Sequence, residues 1–372
     1  MSKVLIAMSG GVDSSVAAHL LKNQGYDCTG ATMQLFHGEY AGAAMESSCC
    51  SRTDVEDARS VAYRLGIPHY VFNFKDAFKQ QVLNRFVLGY EQGATPNPCL
   101  DCNRYIKFSK FLHRAKELCI AHIATGHYAR IERENGRYLL KKAVDTTKDQ
   151  SYALYAMTQE QLSQTLFPLG HLTKAQVRQV AQQQGFANAE KKDSQDICFA
   201  ADGDYAGAIQ RLSEKEYPPG NFIDCGGNIL GSHKGIIRYT VGQRRGLGIS
   251  APEPLYVIEK CPKSNTVMLG KAADLLQSEL TAAEFNWIAW DTPPVSFRAK
   301  ARIRYHHAEQ WATVLPTGLN TVHIKFDQPQ RAIANGQAVV LYQDEVVLGG
   351  GIIQCDCAHA SWQNGGAYGN IN

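Results

Sequence analysis

The chain opens with a short apolar run, Val4–Met8, broken by Ser9-Gly10-Gly11-Val12-Asp13-Ser14-Ser15. A helical pattern follows that puts Val16, Ala17, Leu20 and Leu21 on one face. A strand, a tight turn with two glycines and a helix start gather backbone N–H groups and the positive end of a helix dipole at one spot. That arrangement favours an anion. Ser9, Ser14 and Ser15 add hydroxyl donors. Asp13 would repel a phosphate unless a cation stood between them, so it is expected to bridge to Mg²⁺. A plain Gly-rich turn with a Ser/Asp cap is the blander alternative, and the order of strand, loop and helix favours phosphate. The loop is not of the Gly-x-x-x-x-Gly-Lys-Ser/Thr type.

Ala31–Phe36, His69–Phe72 and Ile120–Ala124 read as further strands. Helical patterns over 53–65 and 106–118 separate them, the first opened by a capping box, Thr53-x-x-Glu56. Alternating β and α elements imply a parallel sheet covered by helices. Thr158-x-x-Gln161 and Thr173-x-x-Gln176 are two more capping boxes, a helical extension of the same domain. Near residue 204 the texture changes to turn-rich sequence, Tyr217-Pro218-Pro219-Gly220 and Cys225-Gly226-Gly227-Asn228. From about Phe297, Ala299, Ala301, Ile303 and Tyr305 alternate with Lys300, Arg302 and Arg304, and short runs at 321–326, 338–342 and 345–348 follow. The fold class expected is therefore α/β: a doubly wound parallel sheet over 1–203, a small central β-rich domain over 204–280, an antiparallel β-barrel over 281–357 and a tail over 358–372.

Eleven cysteines, an odd number in a chain of 372 residues, do not suggest a small disulfide framework. Val4–Met8 is too short for a secretory core, and nothing approaches the roughly 18 apolar residues of a membrane span. A cytoplasmic protein with reduced thiols is expected. Two cysteines have reactive surroundings. Cys102 precedes the helical pattern starting at 106, with Arg104 and Lys107 nearby. Cys198 follows Lys191-Lys192. Helix dipole and lysine charge both favour a thiolate, the nucleophilic form. Cys28, Cys119, Cys225 and Cys261 read as inert thiols, and Cys49-Cys50 and Cys355-x-Cys357 as poor ligand pairs. Cys99-x-x-Cys102 could instead be a redox pair or half a zinc site, and an iron–sulfur cluster on Cys99, Cys102 and Cys198 is the minority alternative.

The loop at 9–15 resembles that of the ATP pyrophosphatases, or PP-loop enzymes, which adenylate a carbonyl oxygen. Further stations are Cys49-Cys50-Ser51, Thr95–Asn103, Ala124–Ala129, Lys148–Tyr152, Lys191–Phe199, Tyr239–Arg244 and Arg304-Tyr305. Together they make the chain, from about residue 3 to 354, similar to the bacterial tRNA-specific 2-thiouridylases. The resemblance implies adenylation of C2 of the wobble uridine, with sulfur arriving as a persulfide on Cys198. It implies Cys102 as the partner thiol, forming a disulfide with Cys198 that a reductant reopens. It implies ATP at Ala7, Met8, Ser9, Gly10, Gly11, Val12, Asp13, Ser14, Met33 and Gly126. The target base would face Asn97, Pro98 and Cys99. The anticodon arm of tRNA would meet His127, Lys148, Asp149, Gln150, Arg304, Tyr305 and Gln337. Without the resemblance, 148–150 would read as a capped loop and Arg304 as a solvated strand face. Many relatives carry Asp where Cys99 stands; Cys99, a swing of Asp101, or a share in the cysteine chemistry are the open alternatives for its role.

Net charge is only +3, so a polyanion would need clustered cations. Candidate clusters are Lys141-Lys142 with Lys148, Lys191-Lys192, Arg238 with Arg244-Arg245, and Lys300-Arg302-Arg304. Tyr239 and Tyr305 could stack on an extruded base. A sulfur-donor protein, such as a cysteine desulfurase or a relay protein, is an expected partner. Two other functions compete: a PP-loop ligase for a small carbonyl substrate such as citrulline, and a non-catalytic RNA-binding protein that senses ATP.

Overall fold

In this computed structural model β1 (Lys3–Ala7), β2 (Asp27–Gln34), β3 (His69–Asn73) and β4 (His122–Ala124) are parallel strands, in the spatial order β3-β2-β1-β4. The residues described are 1–36, 52–191, 197–200 and 203–354. Cys49-Cys50-Ser51, the Lys192–Asp196 part of the Cys198 motif, Cys355, Cys357 and the tail lie outside them. Helix α1 (Val12–Asn23) buries Val16, Ala17 and Leu21 against one face of the sheet. Helix α2 (Arg52–Leu65) does the same with Ala58, Val61 and Ala62. Because α2 already begins at Arg52, Thr53 lies inside its first turn instead of capping it.

Helical backbone also begins earlier than the expected 106. It runs from Pro98 through Pro98–Asp101, the wide π-type turns of Cys102–Lys110, and Phe111–Glu117. Asn97 caps it by accepting from Cys99 N at 3.0 Å, and Pro98 occupies the first helical position, where its missing N–H costs nothing. Cys102 therefore sits in the second turn, 9% exposed.

The chain then makes a hairpin of β5 (Ala129–Glu134) and β6 (Arg137–Lys142), and β7 (Thr165–Leu166) completes the parallel sheet beside β4. Both expected capping boxes are present, at Thr158/Gln161 and Thr173/Gln176. A small four-stranded module holds β8 (Gly220–Ile223), β9 (Ile229–His233), β10 (Tyr256–Cys261) and β11 (Thr266–Gly270). Last come β12 (Leu276–Trp287), β13 (Phe297–Arg302), β14 (Gln310–Pro316), β15 (Val322–Arg331), β16 (Ala338–Gln343) and β17 (Val346–Gln354). They pair antiparallel in the order β12-β15-β14-β13-β16-β17, and β17 returns to β12, closing a six-stranded barrel. Ala299, Ala301, Ala312, Val314, Ile324 and Leu341 fill its interior. The expected α/β sheet, central β module and barrel are all present.

The modules are joined by specific contacts. β17 meets β6 at Val346 and Lys141, and Tyr152 donates from its hydroxyl to Ala338 O at 2.8 Å. The segment leading to Asn97 is held from two sides. Lys260 of β10 donates to Ala94 O at 3.0 Å, and from the barrel Gln337 donates to Thr95 O while Asn335 O accepts from Thr95 N.

Candidate nucleotide and tRNA site

In an open parallel sheet the crevice lies beyond the carboxyl ends of the strands, where the strand order reverses. Here that point is between β1 and β4. The loop 8–11 leaves one strand and Thr125-Gly126-His127 the other. Gly10 has φ +76°, and a Cβ there would lie 2.3 Å from Asp54 O. At Gly126 a Cβ would lie 2.8 Å from Asp13 C and from Ser14 N, so the two loops touch backbone to backbone. Ser14 donates to Gly11 O at 3.0 Å and its hydroxyl accepts from Ser9 N at 3.2 Å, folding the loop onto the start of α1.

A cavity of about 490 Å³ opens over this loop. Of the residues expected at ATP, Ala7, Met8, Ser9, Gly11, Val12, Asp13, Ser14, Met33 and Gly126 line it; Gly10 does not, and abuts the Asp54 backbone. Four of the residues expected at tRNA, His127, Lys148, Gln150 and Tyr305, line the same cavity. The other three are engaged in the frame. Asp149 is buried and accepts from Ala143 N at 3.0 Å and Ser151 Oγ at 2.8 Å. Arg304 donates to Val241 O and Ala332 O, both at 3.0 Å. Gln337 holds Thr95, as above. The expected basic strand face is thus not a shared stripe. β13 ends at Arg302, the chain turns, and Arg304 points inward, with burial lowering its pKa from the usual value. Arg302 lies 3.8 Å from Asp149, while Lys300 stacks over the half-exposed Trp311.

His127 bonds Thr125 Oγ1 at 2.7 Å and packs between the rings of Phe108 and Phe167. Burial, and then Lys107, hold its pKa well below the ordinary imidazole value. Tyr305 donates to Asp149 O at 3.1 Å. Burial first, and then the charges of Asp149 and Cys99, raise its pKa, so Cys99 lies within electrostatic reach of this cavity wall. Asp101 accepts from Arg85 at 3.4 Å, and burial lifts its pKa to about 6 against the pull of that arginine. Arg104 turns to Glu284 of the barrel, 2.8 Å away.

Cys99 is exposed, Cys102 buried and Cys198 half-buried. Cys198 packs against the same apolar cluster that contains Cys102. Its neighbour Phe199 meets the rings of Phe78 and Phe86 edge-on, and the segments Lys75–Phe78 and Lys79–Leu83 abut Cys102–Lys110. Among the described residues no three Cys, His, Asp or Glu side chains are grouped to hold a metal, which removes support for a cluster at Cys99, Cys102 and Cys198. Asp13, expected to bridge Mg²⁺, has both carboxylate oxygens engaged. Lys174 lies 2.8 Å from each, and Tyr128 donates to Oδ1 at 2.7 Å. As arranged, these residues do not fit a cation at Asp13.

Sequence reasoning passed over Thr147 on the cavity wall and Asn188 and Lys174 behind it, and it gave no place on that wall to Lys107, named only as a charge near Cys102, or to Tyr128, named only as part of a motif. Asn188 donates to Gly10 O and Ser15 Oγ, both at 2.9 Å, bracing the phosphate loop from the segment that leads to Cys198. Lys191 bonds Asp54 and Asp57 at 2.6 Å on the cavity rim, so it is no loose surface cation.

A phosphate-type loop at the switch point of a parallel sheet, under a cavity that reaches a β-barrel, defines a PP-loop nucleotide-binding domain with appended β modules. A family profile described as "tRNA methyl transferase HUP domain" matches residues 2–202. An "aminomethyltransferase beta-barrel domain" profile matches 277–353, and a "tRNA methyl transferase PRC-barrel domain" profile matches 208–271. The tRNA-specific 2-thiouridylase MnmA of Clostridioides difficile (strain 630) is 50% identical over 95% of this chain and 98% of its own length. The tRNA-specific 2-thiouridylase MnmA 2 of Clostridium botulinum (strain Okra / Type B1) is 49% identical over 95% and 99%. The chain belongs to the tRNA-specific 2-thiouridylase family. A solved 4-thiouridine synthetase–RNA complex with bound ATP is similar at a TM-score of 0.33 and 15% identity, over 57% of this chain and 51% of that one, too low to bear on the argument.

Proposed function

We propose that the protein thiolates C2 of the wobble uridine of tRNA at the expense of ATP. The reading rests on one observation above all: a single cavity is lined by the phosphate loop on one side and by Lys148, Gln150 and Tyr305 on the other. A nucleotide on the loop and a base from an RNA arm would meet there. C2 oxygen is a poor leaving group. Its attack on the α-phosphate of ATP releases diphosphate and turns it into AMP, a good one. The terminal sulfur of a Cys198 persulfide then attacks C2 and AMP departs. Cys102 thiolate attacks the Cys198 Sγ, breaking the S–S bond. The sulfur stays on C2, Cys102 and Cys198 are left as a disulfide, and an external thiol returns the two electrons. The shared packing of both cysteines on one cluster supports this pairing.

The ATP would take the loop Ala7–Ser14 with Met33 and Gly126, and Asn97, Pro98 and Cys99 would face the base. His127, Lys148, Gln150 and Tyr305 would contact the anticodon arm, with Asp149, Arg304 and Gln337 holding that surface in shape. Any Mg²⁺ that accompanies ATP has no fitted place at Asp13, and no step is assigned to it. Domain 1–203 would activate, 204–280 link, and 281–357 hold tRNA, leaving 358–372 as a tail. The persulfide would come from a cysteine desulfurase or relay protein in a reducing cytoplasm. Among the described residues no helix is long and apolar enough to cross a membrane.

The test is mass analysis of nucleosides from tRNA incubated with ATP, Mg²⁺ and a persulfide source. Wild-type protein should yield 2-thiouridine, Cys198→Ala and Cys102→Ala should yield none, and both variants should still bind tRNA. Full thiolation by Cys198→Ala would defeat the mechanism.

A further inference from the structure

Lys174 occupies the first helical position of Lys174–Gln183, directly after the Thr173 cap. A cation there opposes the helix dipole, so the helix gains nothing from it. Its ammonium group lies 2.8 Å from both oxygens of Asp13, and its side chain is 12% exposed. Tyr128 donates to the same carboxylate and lies under the ammonium, 5.9 Å from ring centre to nitrogen. Behind it, Asp145 accepts from Lys174 N at 2.9 Å and from Thr147 Oγ1 at 2.6 Å, tying the lysine to the wall that carries Lys148. Asp13 itself is in the first turn of α1 and lines the cavity over the loop.

We propose that Lys174 is a positioning residue of the phosphate site: it neutralises and fixes Asp13, so that the loop N–H groups and serines accept the anionic phosphates of ATP without a metal ion at that carboxylate. This rests on the reading of the loop as an ATP site. A phosphate loop with a fixed negative charge in its helix's first turn is self-defeating unless a cation pairs with it. Here the chain supplies that cation from 161 residues away in sequence.

The experiment is ATP binding to the full chain by isothermal titration calorimetry in EDTA, with near-ultraviolet circular dichroism as the check on folding. Wild-type protein should bind. Lys174→Met should weaken binding by at least about tenfold, because an unpaired carboxylate then faces the phosphates. Asp13→Asn with Lys174→Met, which removes the charge as well as its partner, should recover to within about threefold of wild type. A merely structural lysine would leave the double variant as weak as the single one. That result, or unchanged binding by Lys174→Met, overturns the proposal. Wild-type protein that binds ATP in Mg²⁺ but not in EDTA also overturns the proposal, whereas failure to bind under both conditions would sink the functional reading instead.

Discussion

Replacing Lys260 with methionine should stabilise the protein near neutral pH, and the gain should fade as pH rises. Lys260 is 3% exposed, its hydrogen bond goes to a neutral carbonyl, Ala94 O, and its ammonium lies 4.9 Å from the Tyr90 ring centre. Burial lowers its pKa from 10.5 to about 7. The unfolded chain therefore keeps this proton to a higher pH than the folded one. The resulting cost of folding is full below about pH 7 and gone above 10.5. At about 1.4 kcal/mol per pKa unit, the cost is on the order of 4 kcal/mol near pH 7 and about 1 kcal/mol near pH 9.5. Methionine gives up the hydrogen bond and the ring contact, about 1–2 kcal/mol together. A net gain of about 2–3 kcal/mol near pH 7 should remain, worth several degrees in Tm, and almost none near pH 9.5. Differential scanning calorimetry at the two pH values reads this directly. A Tm that falls at both, or a gain that ignores pH, would refute the burial argument.

Gly10→Ala should reduce ATP binding by more than about tenfold while leaving the far-ultraviolet spectrum intact, because the new Cβ meets Asp54 O and the φ of +76° is strained for alanine. Gln337→Ala should slow thiolation with little change in tRNA affinity if the residue acts by holding Thr95; filter binding and single-turnover rates separate this from direct contact, which would move the affinity.

Local chemistry was the readable part. Strand, phosphate loop and helix are contiguous, and the boxes at Thr158 and Thr173 need only their own turn, so both formed as expected. Two local signals went unused. Asn97-Pro98 is a cap followed by a first-turn proline, yet the helix is expected only from 106. Asn135-Gly136, with φ of +49° and +83°, is the turn of the β5–β6 hairpin. Alternation carried the barrel strand too far: it follows the sequence through Tyr305, whereas the strand stops at Arg302 and turns Arg304 inward. The Lys174–Asp13 pair, the Gln337–Thr95 hold and the return of β17 to β12 depend on contacts between distant segments, and no spacing in the chain announces them.

Because β17 both closes the barrel and borders the β5–β6 hairpin, the barrel cannot be shed like a bead from a string. A fragment ending before β8 would bare the β6 edge and Tyr152, whose partner is Ala338 of the barrel, and would be prone to stick to its own copies. Shortened or chimeric versions of such enzymes should be cut so that the hairpin and the barrel travel together.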